Sequence, residues 1–447
     1  MLTYDLNARG KHSMYEQLYL HIKEDILSCR LTAGEKLPSK RKLAEHLQIS
    51  VITVENAYAQ LAAEGYITPL EKKGYFINQV APQIARPPKT PFLSTEQPPS
   101  TAGYSAEGFP FALWCRMMRR VIAEQGEQLL APLEFNGVYA LRKAICTYLY
   151  DFRGIRVQAG QIIIGAGTEY LYNLLIQLLG RDKVYAVENP GHSKIYKIYT
   201  ANGVECRPIP LDAQGLSVEQ LRTTDASIVH ISPAHHYPTG IVMPVARRQE
   251  LLNWASEAKG YILEDEYDSE FRFVGRPIPT LFEMDAGNRV IYINTFSKTL
   301  APSIRISYMV LPEPLMEQYK EKLRFYACTV PSLEQYTLAA FIRSGGFERH
   351  ISRMKIRYRK KRDAVIRLMQ EALNTPFRIQ EKDAGLHFLV TLSASDGMHK
   401  LVSLAKERGI RVTPLSKFDI FERQEYAATA VVDYAGYHLE TQADGTL

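Results

Sequence analysis

The sequence INTFSK, residues 293–298, decides the fold together with ILEDEY, residues 262–267. Each segment begins with a short apolar run and ends in polar groups. The first ends in a hydroxyl group and an amine, and the second ends in carboxylates and a phenol. Ligands of open α/β sheets bind at the carboxyl ends of strands. The two segments therefore predict strands that deliver these groups to one cleft.

Five short apolar runs alternate with helix-like stretches between Gln161 and Leu311, at residues 162–164, 184–187, 228–231, 261–263 and 290–293. This alternation predicts an α/β fold with a mixed, mostly parallel sheet covered by helices on both faces. Polar or glycine-rich residues follow every run, and because they come at the carboxyl ends of the strands, the five sets should converge on one cleft. One of them contains Gly167 and Thr168 at a helix start, where backbone N–H groups and a hydroxyl suit a phosphate.

Asp265 and Lys298 have the most informative positions in these sets. Asp265 follows an apolar strand, where a buried carboxylate needs a cationic partner, and a protonated ring nitrogen would serve. Lys298 follows another buried strand. It either extends to solvent or offers a reactive amine for a Schiff base.

The chain has 447 residues, of which 46% are hydrophobic, and this length predicts at least two folded domains. Its net charge of +6 is mild and decides little. A proline-rich stretch predicts a semi-rigid linker, the alternative being a loop within one domain. We predict a first domain at 1–78, a linker at 79–103 and a second domain at 104–447. The second domain should divide into a large subdomain at about 155–312 and a smaller α+β subdomain at about 104–154 and 313–447.

The five cysteines are far apart and form no CxxC pair, which argues against a disulfide framework and predicts no metal site. The N-terminus lacks the apolar core of a signal peptide. No apolar run approaches the roughly 20 residues that a membrane span needs. We therefore expect a soluble, cytoplasmic protein without membrane partners.

Residues 15–77 have the spacing of a winged helix-turn-helix. Apolar periodicity predicts one helix from Tyr15, a second capped by Ser39, and a third capped by Ser50 and ended by Gly65. Two strands should follow, with a basic tip between them. A three-helix packing module would show the same apolar pattern.

The polar residues of this module favour DNA binding over simple packing. The start of the second helix carries Lys40 and Arg41 beside Ser39. Ser50 and Thr53 add hydroxyl groups at the start of the third helix, and this arrangement suits phosphate oxygens. Lys73 in the hairpin tip suits a phosphate or a minor groove. A solvated charged surface is the alternative for the basic cluster.

The string LPSKRKLAEHLQISVITVENAYAQLAAEGYI, residues 37–67, with GYFI at 74–77, resembles the winged helix-turn-helix of the GntR family of transcription regulators. The resemblance implies that Arg41, Ser50 and Thr53 contact DNA. Family members often have arginine directly after the serine that opens the recognition helix. Here that residue is Val51, so base specificity or affinity should differ.

The segment TFSK, with Arg305 seven residues after the lysine, resembles fold-type I pyridoxal 5′-phosphate (PLP) enzymes of the aminotransferase superfamily. EDEYDSEF, SPAHHYPTG and FNGVYALRKAICTYL also match patterns of that superfamily. The resemblance implies that Lys298 forms the internal aldimine and that Thr295 and Arg305 bind the phosphate. It also implies that Asp265 pairs with the pyridine nitrogen and Tyr267 with the ring hydroxyl.

GntR-type DNA binding joined to an aminotransferase-like domain is the layout of the MocR subfamily, and the chain is identified as a member. Membership implies a transcription regulator that senses an amine or amino-acid effector, or PLP itself, by aldimine chemistry at Lys298. It also implies a homodimer, with domain-swapped heads as one arrangement, on double-stranded DNA with repeated half-sites. The alternatives are an active aminotransferase with an accessory DNA-binding module, and a scaffold that no longer uses PLP.

Three positions depart from members that sense an amino acid. His192 stands where an aromatic ring would stack on PLP, or it serves only packing or the surface. Lys194 and Gly436 stand at arginine-like positions, and lysine lacks the bidentate fork that arginine offers a carboxylate. The effector is therefore open, and γ-aminobutyrate is disfavoured. Relatives continue beyond ETQADGTL, residues 440–447, into a terminal helix, so we expect part of the small subdomain to be missing or differently built.

Overall fold

The computed structural model describes residues 2–4, 6, 13–79, 108–275, 278–373, 376–393, 395–421, 423, 426 and 428–439. Its internal contacts divide the chain into two units, residues 1–100 and 101–447. The predicted linker, apart from residue 79, and residues 440–447 lie outside the described residues. The predicted domain and subdomain boundaries therefore stay predictions.

The first unit contains three helices and a hairpin: α1 (Met14–Leu27), α2 (Lys40–Leu47), α3 (Val51–Ala63), β1 (Ile67–Leu70) and β2 (Gly74–Ile77). As the sequence predicts, Ser39 Oγ accepts the Lys42 backbone N–H at 3.3 Å, and Ser50 Oγ accepts that of Thr53 at 3.1 Å. Gly65 turns the chain after α3 at a φ of +78°, which favours glycine. One core joins the elements, with members that include Leu18, Ile22, Leu43, Val54, Tyr58, Leu61 and Ile77.

The second unit is built on an eight-stranded sheet. Its strands are β3 (Ile162–Gly165), β4 (Val184–Asn189), β5 (Glu205–Asp212), β6 (Gly215–Leu216), β7 (Ile228–Ile231), β8 (Tyr261–Glu266), β9 (Val290–Thr295) and β10 (Ser307–Val310). They lie in the order β3-β10-β9-β8-β7-β4-β5-β6. The run from β9 to β5 is parallel, whereas β10 is antiparallel to β9 and β3, and β6 is antiparallel to β5. The predicted mixed, mostly parallel sheet is confirmed.

The helices of this unit are α4 (Phe111–Gln125), α5 (Tyr139–Arg153), α6 (Thr168–Leu179), α7 (Ser193–Ala201), α8 (Val218–Arg222), α9 (Val245–Glu257), α10 (Leu281–Met284), α11 (Phe296–Thr299), α12 (Glu313–Leu323), α13 (Ser332–Arg343), α14 (Gly346–Ala372) and α15 (Ser395–Glu407). Alternation along β3 shows how they cover both faces of the sheet. Ile162 and Ile164 pack with α5 and α13, whereas Ile163 packs with α6 and α12. The apolar run of β3 therefore belongs to a strand buried on both faces.

A second sheet has four antiparallel strands: β11 (Phe377–Gln380), β12 (His387–Leu392), β13 (Arg411–Pro414) and β14 (Thr429–Asp433). Their order is β11-β12-β14-β13. Phe388 and Val390 pack with Val365 of α14 and Leu401 of α15, which gives the predicted smaller α+β part. Among the described residues, no helix is both long and apolar enough to cross a membrane.

Candidate functional site

A cavity of about 390 Å³ opens at the carboxyl ends of β4, β7, β8 and β9. This volume is within the range of small-molecule sites. Seven of the predicted cofactor residues line it, namely Thr168, His192, Asp265, Tyr267, Thr295, Lys298 and Arg305. The eighth, Gly167, lies against the Arg305 side chain, and a Cβ added at this glycine would clash with the Arg305 guanidinium. The structure therefore brings all eight predicted cofactor residues together at one cavity.

Asp265 is buried at the end of β8, and a network holds one of its two oxygens. Tyr172 of α6 donates its hydroxyl hydrogen to Oδ2, and His230 Nε2 lies 3.4 Å from the same oxygen. His230 Nδ1 in turn lies 2.6 Å from the Tyr199 hydroxyl. The other oxygen, Oδ1, is buried without a hydrogen-bond partner. A buried carboxylate oxygen needs a hydrogen-bond donor. Asp265 Oδ1 can therefore accept a hydrogen bond from a ligand in the cavity.

Lys298 lies on α11, the short helix directly after β9. Thr295 Oγ1 caps this helix by accepting the Ser297 backbone N–H at 3.2 Å, and it also accepts the Ser307 hydroxyl at 2.8 Å. Ser297 Oγ is buried without a partner. Lys298 lines the cavity, and within the described part of the chain its amine forms no hydrogen bond or ion pair.

The N-terminus of α6 and two cations form one end of the cavity. Arg305 and Lys194 both form ion pairs with Glu169, in the first turn of α6. Burial would raise the pKa of Glu169, but these two ion pairs outweigh it and hold the pKa at about 2. A helix N-terminus with two cations can bind a phosphate group. A phosphate there would have to share the cations with Glu169 or displace it.

Tyr267 lies beside a buried cluster of polar side chains. Its hydroxyl is 3.2 Å from His235 Nδ1, which also lies 3.1 Å from each carboxylate oxygen of Asp268. The rings of His235 and His387 are 4.7 Å apart. Burial raises the pKa of Tyr267 well above its usual value, so the phenol keeps its proton and can donate a hydrogen bond. Because donor atoms of His235, Asp268 and His387 lie within 4.8 Å of one another, the expected absence of a metal site stays a prediction.

These features fit the cofactor that the sequence implies. The free oxygen of Asp265 suits a protonated ring nitrogen, and the Lys298 amine suits an aldehyde carbon. Arg305, the unpartnered Ser297 hydroxyl and the N-terminus of α6 suit a phosphate.

Sequence reasoning missed several residues of the cavity. Tyr172 and His230, which hold Asp265, left no signal because α6 and β7 carry them from distant parts of the chain. Ser297 could have been found, since it lies inside TFSK. Of the two residues at arginine-like positions, Lys194 lines the cavity and Gly436 does not. Asp433, which the sequence does not single out, lines the cavity as well.

In the first unit, the predicted DNA-binding residues lie at the N-terminal ends of α2 and α3 and in the hairpin. Lys40 is ion-paired with Glu55 of α3, whereas Arg41 and Lys73 are exposed. Thr53 Oγ1 lies 2.8 Å from Ser50 Oγ. Val51 and its neighbour Ile52 are 41% and 68% exposed, so the recognition helix begins with two apolar side chains in contact with solvent.

Comparison with known proteins identifies both units. Residues 14–77 match the family described as bacterial regulatory proteins, gntR family, and residues 105–427 match aminotransferase class I and II. The chain is 38% identical over 424 residues to YdeL of Bacillus subtilis (strain 168), an uncharacterized HTH-type transcriptional regulator, covering 93% of this chain and 92% of that protein. It is 29% identical over 455 residues to the probable rhizopine catabolism regulatory protein MocR of Rhizobium meliloti, covering 97% of this chain and 92% of that protein.

Among solved structures, the kynurenine aminotransferase of Pyrococcus horikoshii, in complex with PMP, matches with a TM-score of 0.64 and 23% identity. The match covers 75% of this chain and 84% of that one, and it shows the shared fold. The chain is thus a member of the MocR subfamily of GntR-type transcription regulators, a DNA-binding winged helix-turn-helix joined to a fold-type I aminotransferase-like domain whose cofactor is pyridoxal 5′-phosphate.

Proposed function

We propose that this regulator holds PLP on Lys298 and changes its DNA binding when a small amine effector enters the cavity. One observation carries the proposal. Asp265 presents a buried, unpartnered carboxylate oxygen to the cavity that also holds the free Lys298 amine. A carboxylate and an amine so placed are complementary to the ring nitrogen and the aldehyde of one PLP molecule.

Each side chain has a defined task in this proposal. When bound, PLP supplies an aldehyde carbon that condenses reversibly with primary amines. Tyr172 and His230 hold the Asp265 carboxylate in place, and Asp265 balances the positive charge of the ring nitrogen. Tyr267 keeps its proton and donates a hydrogen bond at the ring hydroxyl.

An effector amine would take the place of the Lys298 amine. An effector that enters as an ammonium ion would pass its protons to Lys298 in this exchange, so that Lys298 would stand in the cavity as the ammonium group, on α11 directly after β9. A change of charge at one site can shift the populations of two domain arrangements. In a homodimer, which we infer from the aminotransferase-like fold, these arrangements would differ in the spacing of two DNA-reading heads.

The first experiment is a visible spectrum of the purified protein, before and after borohydride, with Lys298→Ala and Lys197→Ala compared. Lys197, on α7, does not line the cavity and serves as the control. We expect a visible band in the wild type and in Lys197→Ala that borohydride removes, and no such band in Lys298→Ala. A wild-type spectrum without this band would refute the cofactor site.

The second experiment separates a regulator from an enzyme. DNA selected from a random pool is titrated with the holoprotein with and without a panel of amines, and light scattering gives the mass of the free protein and of the complex. We expect a dimer, two repeated half-sites and an affinity that one amine class changes. Steady turnover of an amino acid with a keto acid, without any effect on DNA binding, would support the aminotransferase alternative instead.

A further inference from the structure

Three side chains form a row across the small sheet and face the cavity. His387 of β12 and Arg411 of β13 are both register partners of Asp433 on the central strand β14. Directly opposed residues on neighbouring strands point to the same face, with Cβ atoms about 4.5–5.5 Å apart. All three line the cavity that contains Lys298. The row therefore forms a polar wall of that cavity.

His387 is an acceptor within this wall. Its side chain is buried, with 3% of the residue exposed, and its Nε2 atom has no partner. Burial lowers the pKa of His387 well below its usual value, and the positive charge of Lys298 acts in the same direction. A neutral ring that bonds to the Pro238 carbonyl through its other nitrogen leaves Nε2 as an acceptor.

Asp433 and Arg411 add opposite charges beside this acceptor. Asp433 Oδ1 accepts the Ala435 backbone N–H at 3.0 Å, and within the described residues its other oxygen has no partner. Among these described residues, the Arg411 guanidinium also has no ion pair, whereas the Lys194 ammonium group is paired with Glu169. The wall therefore offers two acceptors next to one bidentate donor.

An α-amino acid head group has the complementary pattern on one carbon, an ammonium group beside a carboxylate. The ammonium group can bind Asp433 and His387, and the carboxylate can bind the fork of Arg411. A ligand held by its head in this way needs a second amine to react at the Lys298 position. A ligand with one carboxylate and only the amine that reacts at the Lys298 position would bring its negative charge close to Asp433. This repulsion disfavours such a ligand.

We propose that the effector is a diamino acid of the ornithine or lysine type, bound by its α-amino acid head to His387, Asp433 and Arg411. Its distal amine then reaches the position of the Lys298 amine. The inference rests on the proposed function, because it names the effector class of the same cavity.

The test uses holoprotein in visible-spectral and calorimetric titrations with matched ligands. L-lysine and L-ornithine supply both groups, norleucine lacks the distal amine, and cadaverine lacks the carboxylate. We expect the two diamino acids to change the spectrum and to bind about 10- to 100-fold more tightly than cadaverine, the factor of one charge-assisted hydrogen bond. Norleucine should leave the spectrum unchanged.

Two variants separate the two halves of the head group. Arg411→Gln should weaken lysine to the level of cadaverine and leave cadaverine unaffected. Asp433→Asn should weaken lysine about 10-fold or more, and the exposed Asp182→Asn should change nothing. Equal losses for lysine and cadaverine in Arg411→Gln, or a norleucine response equal to that of lysine, would overturn the inference. A wild type without a visible band would instead refute the proposed function itself, so the two failures are distinguishable.

Discussion

Replacing Asp265 by asparagine should weaken the binding of PLP without destabilising the PLP-free protein. In the PLP-free protein, the Asp265 carboxylate is buried and its Oδ1 lacks a partner. An amide has the same shape and can still accept the hydrogen bond of Tyr172, but it carries no charge to be buried. In the PLP-bound protein, the same change would remove the negative partner that we propose for the ring nitrogen.

The sizes of the two effects follow from these contacts. A buried charged group without a partner costs more than a buried amide without one, so the PLP-free variant should be unchanged or more stable by about 1 kcal/mol. A hydrogen bond to a charged group contributes about 1.5–3 kcal/mol. Because about 1.4 kcal/mol corresponds to a tenfold change, the dissociation constant of PLP should rise by about 10- to 150-fold.

The assay combines urea unfolding of the PLP-free protein with spectral titration by PLP. Hydroxylamine can remove the cofactor beforehand, and Asp225→Asn, an exposed aspartate paired with Arg207, serves as the control. A PLP affinity within twofold of the wild type would refute the role given to Asp265. A PLP-free variant destabilised by several kcal/mol would instead show that the negative charge is required for the fold.

Four further predictions concern other parts of the chain. Lys73→Ala should weaken binding to all DNA sequences alike and reduce the slope of log affinity against log salt by about one; a loss confined to one sequence would contradict a phosphate contact. Arg153→Met should lower the free energy of unfolding by about 3–5 kcal/mol, because it leaves the fully buried Glu266 without its ion pair; urea unfolding that shows a loss below 1 kcal/mol would count against this. Glu169→Gln should tighten PLP binding about three- to tenfold in the spectral titration, since two cations lose a competing carboxylate; weaker binding would contradict it. Burial raises the pKa of Glu188 to about 8, above its value in the unfolded chain. The stability that this group contributes is therefore complete below about pH 4.5 and is lost as the pH rises through 8, by up to about 1.4 kcal/mol per unit. Unfolding curves of Glu188→Gln over this range should be flatter than those of the wild type, and parallel curves would contradict the assignment.

The sequence predicts the polar side chains at the strand ends well, because the spacing and polarity of neighbouring residues can be read from short segments. The strand β5 was missed, since Pro208 and Pro210 interrupt its pattern, yet it lies beside β4 near the edge of the sheet. Helices α5 and α13, which the sequence assigns to the small subdomain, share a core with the large sheet. Only tertiary packing reveals that placement.

The proposed effector side of the cavity depends on cross-strand register, which no local sequence pattern contains. Sequence comparison directed attention to Gly436, whereas the pairing of β14 with β12 and β13 brings Asp433 to the cavity. Likewise Tyr172 is 93 residues from Asp265 along the chain, so its hydrogen bond could not be predicted. Sequence motifs therefore predict the proposed cofactor residues, whereas only the fold reveals the proposed effector residues.

The arrangement of Glu169 between Arg305 and Lys194 has a consequence for how the regulator exists in a cell. Because this carboxylate pairs with both cations and lowers their net charge from +2 to +1, less charge is left for a phosphate to compensate at that end of the cavity. We therefore expect a folded form without PLP to persist, with a share of the population that follows the supply of free PLP by mass action. The same protein would thus register how much vitamin B6 coenzyme is available before any amine arrives.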